Sequence, residues 1–200
     1  MNEHFGALHW WPAETSFEMA VGAILTQNTT WTNASSAVER LRDSGLLDPF
    51  TMYRADSRHI SDAIRPAGFY NIKTDRLRAF IDFLHECYGG SMEAMFAEET
   101  GRLREILLAV HGIGRETADS ILLYGDNRPV FVVDAYTKRI LERHGLAEQN
   151  WSYDDVQNLF QENLPRNAAL FNQYHALLVN TGKLFCRRLP RCGECPLRKS

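Results

Sequence analysis

The chain has 200 residues, of which 44% are hydrophobic, 24% charged and 11% aromatic. That describes an ordinary globular protein with room for one large domain or two small ones, and excludes low-complexity or fibrous classes. The net charge of −3 weighs mildly against nucleic acid as a partner, but whole-chain charge is a weak test: from residue 183 onward Lys183, Arg187, Arg188, Arg191, Arg198 and Lys199 face Glu194 alone. No apolar run approaches the roughly 20 residues that span a membrane, and the start MNEHFGALHWWPAETS has neither a basic head nor a cleavable apolar stretch. A cytoplasmic monomer without membrane contact is expected.

In chain order, residues 1–15 are polar and aromatic, and Pro12 closes His9-Trp10-Trp11. Ser16 is placed to cap a helix through FEMAVGAILTQ, whose nearly continuous apolar character predicts a central, buried helix. Helical patterns follow over 32–41 and 57–64, then Arg65-Pro66-Ala67-Gly68 breaks the chain. Tyr70 to Tyr88 predicts a long helix with Leu77, Phe80, Ile81 and Leu84 on one face, stopped by Gly89-Gly90. Cys87, alone in that pattern, is expected to be an inert buried thiol. Further helices are expected over 91–98, 100–110, 115–124, 135–143, 153–163 and 168–183. Val130 to Val133 is the one good β run; it has no partner and reads as an extended connector. The fold class is all-α, with about ten helices.

Two features in this frame carry chemistry. His111-Gly112-Ile113-Gly114 is a tight turn between helical patterns, with the small Ala118 allowing close helix approach. The next helix would direct its first amides outward at the positive end of its dipole, a ready phosphate site, with the cation Arg115 beside it. From the glycines alone, a packing hairpin without a ligand fits equally well. Some twenty residues later Asp134 stands at another helix start, where Asp is also simply a preferred N-cap.

With these motifs on one chain, the sequence resembles the helix–hairpin–helix DNA glycosylases of the endonuclease III superfamily. The likeness rests on LTQNT around Thr26–Thr29, GFYNIK at Gly68–Lys73, HGIGRETA at His111–Ala118, VDAYTKRI at Val133–Ile140 and a cysteine-rich tail. It implies a two-lobed fold, with a six-helix lobe over 18–128 and a second lobe of 1–17 plus 129–200, and damaged duplex DNA bound between them. It implies that Asp134 is the catalytic carboxylate, suited to stabilising an oxocarbenium-like sugar. It also implies that His111, Gly112, Gly114 and Arg115 hold DNA backbone, with Lys138, Arg187 and Arg188 as further phosphate contacts.

Bifunctional members of that superfamily carry a lysine after the hairpin arginine. Here the position is Glu116, and a carboxylate forms no imine, so a monofunctional glycosylase is expected. Lys138 is the nearest replacement amine. Trp10, Trp11 and Trp31 with Gln27 and Asn28, beside Glu116, are the candidate pocket for a flipped base, although Trp10-Trp11-Pro12 also reads as a staple onto the core. WWP plus LTQNT resembles the 3-methyladenine glycosylase branch. A cationic alkylated purine suits electron-rich rings and needs no leaving-group protonation. The alternatives are a neutral oxidised, deaminated or mismatched base with weak lyase activity, or a noncatalytic lesion-binding protein. Cys186, Cys192 and Cys195 resemble three ligands of the superfamily's [4Fe-4S] cluster, whose fourth would fall at 201; zinc with a histidine is the alternative.

Overall fold

The computed structural model describes residues 1–8 and 10–198; His9 and the tail residues Lys199 and Ser200 lie outside the described residues. Among those described there are helices, turns and no strand. The chain forms two compact units, residues 13–126 and residues 1–12 with 127 onward.

The chain opens with one helical turn, α1 (Asn2–Phe5). Unit 13–126 then runs through α2 (Ser16–Thr26), α3 (Trp31–Asp43), α4 (Pro49–Arg54), α5 (Ser57–Ala63), α6 (Tyr70–Tyr88), α7 (Met92–Phe96), α8 (Thr100–Ala109) and α9 (Arg115–Ser120). Every residue of α2 from Phe17 to Leu25 is buried, as its all-round apolar pattern requires. Its cap is Thr15 rather than Ser16. Thr15 accepts from the Glu18 amide, while the Ser16 hydroxyl donates to the Gly125 carbonyl at 2.8 Å. Buried Glu18 is balanced by Arg42 of α3 at 2.5 Å.

Helix α6 buries Leu77, Phe80, Ile81 and Leu84. Gly89 ends it in the left-handed conformation, with the Gly90 amide reaching back to the Leu84 carbonyl. Cys87 is exposed, not buried. The single-face pattern that packs Leu84 leaves the neighbouring surface of the last turn in solvent.

The other unit holds α1, α10 (Ala135–Arg143), α11 (Tyr153–Asn163) and α12 (Ala168–Leu184). Its N-terminal segment is fastened to α12 by one side chain. Gln173 accepts from the Leu8 amide at 2.9 Å and donates to Asn2 Oδ1 and the Gly6 carbonyl. The Val130–Val133 run is extended without a strand partner. Its backbone is bonded instead by side chains of α11: Gln161 takes the Phe131 amide, Gln157 donates to the Phe131 carbonyl at 2.6 Å, and Tyr153 takes the Val133 amide. The Phe131 ring stacks on Phe160 at 3.9 Å and meets Phe171 edge-on, so the connector is pinned from both sides. Helices α10 and α12 approach so closely that a Cβ at Gly182 would stand 2.5 Å from Tyr136.

Candidate active site

In unit 13–126 the hairpin between α8 and α9 is braced from behind. Buried Asp119 on α9 takes Arg104 of α8 in a two-pronged pair, Nε–Oδ1 2.6 Å and Nη2–Oδ2 3.0 Å. Gly112 has φ +84° and carries the Arg76 side chain where a Cβ would be, 2.1 Å from Arg76 Cγ, so glycine is required there twice over. Gly114 is different. Its φ of −92° is ordinary extended backbone that any residue adopts. It N-caps α9 without a capping side chain, which leaves that helix start facing outward. His111, Gly114, Arg115 and Glu116 are all exposed, and Glu116 sits in the first turn of α9.

Gln27 ties the end of α2 to this hairpin. Its amide nitrogen donates to the Gly112 carbonyl and to Thr117 Oγ1, each at 2.9 Å, and its carbonyl accepts from Arg76. The Gln27 side chain is therefore committed to holding the turn. Asn28 follows in the left-handed region, φ +53°, and is exposed; Trp31 begins α3, half-buried. Beneath them Lys73, 1% exposed, donates from Nζ to the Leu25 carbonyl at 2.9 Å and to Ala67 at 2.7 Å. Burial lowers its pKa to about 8. One turn before Lys73 the chain does something the sequence reading passed over. Gly68 and Phe69 both take positive φ, +68° and +46°, and the Phe69 ring is 68% exposed, with Ile72 exposed one turn on. A bulky residue in that region is strained and an exposed ring is apolar surface left in water, so two unfavourable features coincide at one tip.

In the other unit the pinned connector delivers Asp134 to the start of α10. Its Oδ1 accepts from the Thr137 amide at 2.7 Å and from Thr137 Oγ1 at 2.8 Å. That fixes the carboxylate and turns Oδ2 toward His175 Nε2, 3.8 Å away; the Asp134 side chain is 10% exposed. His175, on α12, is buried, and burial holds its pKa below the ordinary 6.5, against the opposing pull of Asp134. Trp10 meets the His175 ring edge-on at 6.3 Å, and Lys183 Nζ stands over the Trp10 ring at 5.5 Å. The structure thus gathers Asp134, His175, Trp10 and Lys183 in one place. Sequence reasoning named the first and third. It missed His175, an isolated histidine in a helical pattern, and counted Lys183 only as part of the basic tail.

Other expected contacts fall differently. Lys138 Nζ donates to the Trp151 carbonyl at 3.1 Å. Trp11 is half-buried with φ +64°. Arg187 and Arg188 are exposed, and their carbonyls accept from Arg143. Arg143 also donates to Sγ of buried Cys186 at 3.3 Å, whereas Cys192 is exposed and Cys195 half-buried. Among the described residues no three histidine, cysteine or acidic side chains stand as a metal-ligand set. As placed, the described thiols form neither a four-thiolate set nor a zinc site.

A family model described as "HhH-GPD superfamily base excision DNA repair protein" matches residues 21–166, from within α2 past the hairpin and Asp134. The chain belongs to that superfamily. It is similar to the Methanocaldococcus jannaschii protein named "Putative DNA repair glycosylase MJ1434", 44% identical over 98% of this chain and 90% of that one. It is also similar to the Helicobacter pylori 3-methyladenine DNA glycosylase MagIII solved with 1,N6-ethenoadenine: 30% identical, TM-score 0.78, covering 87% of each chain. Its fold matches that of an endonuclease III solved in a non-covalent DNA complex, TM-score 0.84 at 21% identity over 98% of this chain and 88% of that one. As an HhH-GPD protein the chain is a base-excision-repair DNA glycosylase, all-helical like its relatives.

Proposed function

We propose that this HhH-GPD glycosylase hydrolyses the N-glycosidic bond of a flipped, alkylated purine in duplex DNA and leaves the resulting abasic strand uncut. The observation that carries the reading is Asp134. One of its oxygens is locked by Thr137 and the other is turned into a group that includes an indole ring. A fixed carboxylate beside a stacking surface suits an oxocarbenium-like sugar whose base has swung onto Trp10. The resemblance to a 3-methyladenine glycosylase supports a purine of the alkylated class.

The rest of the machinery follows from chemistry at named positions. The Gly112–Arg115 turn offers backbone and a cation to a phosphate. The exposed Arg187 and Arg188 fit the same partner. Phe69, projecting from a strained tip, fits an apolar wedge that fills the stack vacated by the flipped nucleotide. Glu116 stands at the sequence position where the lysine of bifunctional glycosylases is expected, and a carboxylate forms no imine, so no covalent adduct is expected.

The test is a panel of duplexes bearing alkylated, oxidised, deaminated and mismatched bases, assayed for free base and for borohydride-trapped protein. The expected result is base release from the alkylated purines with no trapped complex. A trapped protein–DNA adduct would overturn the monofunctional assignment, and release confined to oxidised or mismatched bases would overturn the substrate class.

A further inference from the structure

Lys183 is, with His175, one of two members of the Asp134 group that the proposed reaction has not used. Its Nζ lies 5.5 Å from the centre of the Trp10 ring. Burial pulls its pKa below the ordinary 10.5 while Asp134 pulls it back up. The other amine nearby in sequence, Lys138, is already donating to the Trp151 carbonyl. His175 meets the same ring edge-on. One ammonium is therefore presented to the surface on which the base would stack.

Two chemical consequences follow. The attraction of an indole face for a cation is already satisfied by Lys183, and a second cation stacked there would meet like charge at short range. A permanently charged methylated purine is thus at a disadvantage on this ring. A neutral purine adduct meets no such repulsion, but it departs as an anion unless a ring nitrogen is protonated as the bond breaks. The Lys183 ammonium, exposed to solvent and standing over that ring, is a suitable donor that solvent can reprotonate.

We propose that Lys183 is the general acid and the charge filter of this site, donating a proton to a ring nitrogen of the departing base and favouring neutral purine adducts over cationic ones. The assignment rests on the base-release reading above. In the step, a water oxygen bonds to C1′ as the C1′–N9 bond breaks and its electron pair passes to the base. The Nζ proton moves to a base ring nitrogen, the water's proton leaves through Asp134 to solvent, and Lys183 regains a proton from solvent. Within the alkylated purines, preference shifts from methylated cations to ring-closed neutral adducts.

The experiment is single-turnover base release by the wild-type protein, Lys183→Met and Lys183→Arg, on duplexes carrying 1,N6-ethenoadenine (neutral) or 7-methylguanine (cationic), from pH 6 to pH 10. Loss of a general acid lowers release by about 10²- to 10⁴-fold. Lys183→Met should lose that factor on the neutral base and release the cationic base faster than the wild type. Lys183→Arg, which keeps charge but gives up no proton, should lose the neutral base and still discriminate against the cationic one. The alkaline fall in wild-type rate on the neutral base should vanish in Lys183→Met. Equal losses on both bases, or no loss on either, would overturn the assignment. Absence of release by the wild type from every duplex would sink the base-release reading and this one with it.

Discussion

His175 shows how a single residue links the site to stability. Its imidazole is buried against Trp10 and kept neutral by burial and by Lys183, with its pKa below the ordinary 6.5 despite Asp134. In the unfolded chain the same ring takes up a proton as pH falls through about 6.5, whereas in the folded protein it does so only at lower pH. The unfolded state therefore binds more protons below that pH. The stabilisation from keeping His175 neutral is complete above pH 6.5 and declines as pH falls beneath it, by at most about 1.4 kcal/mol per pH unit. Urea midpoints measured between pH 7.5 and pH 5 should drop in the wild type and drop less in His175→Gln. Identical pH dependence in the two proteins would contradict this account of the ring. None of this was visible in the sequence, because a lone histidine at helical spacing looks like any core residue. Only the fold brings position 175 to position 134.

The elements themselves were more legible, for a physical reason. Helix α6 announced its span by four apolar residues on one face and a Gly-Gly stop, and both act as the periodicity implies. The Val130–Val133 run was readable as a connector because it had no partner strand. What pins it was not, since Gln157, Gln161 and Tyr153 come from α11. Thr15 and Ser16 are chemically alike as caps, and the choice between them depends on the distant Gly125 carbonyl. The Gly68–Phe69 tip stayed hidden because backbone angles are not written in residue type once the glycine has been passed. It sets an exposed ring at the start of α6, one turn before the buried Lys73 that anchors the end of α2. Phe69→Ala should leave thermal stability within about 0.5 kcal/mol, as expected for an exposed position. It should slow base release from fully paired duplex about tenfold and have little effect on a lesion opposite a gap. An equal effect on both substrates would argue against a wedge.

For the whole molecule, each unit carries its own group of candidate functional residues. Residues 13–126 carry a braced glycine turn with Gln27 locked against it. The other unit carries a carboxylate, an indole, an imidazole and an amine assembled from α12, the N-terminal segment and the start of α10. A carboxylate on that scaffold can stabilise a sugar cation, whereas a binding protein would need only the turn. The central claim is therefore that Asp134 performs the chemistry. Its most direct test is release of alkylated purine from duplex DNA by Asp134→Asn beside the wild type, with DNA affinity measured in parallel. Thr137 can still bond the amide oxygen, so folding and DNA binding should be retained while base release falls by at least about 10²-fold. Base release by Asp134→Asn at the wild-type rate would contradict the account.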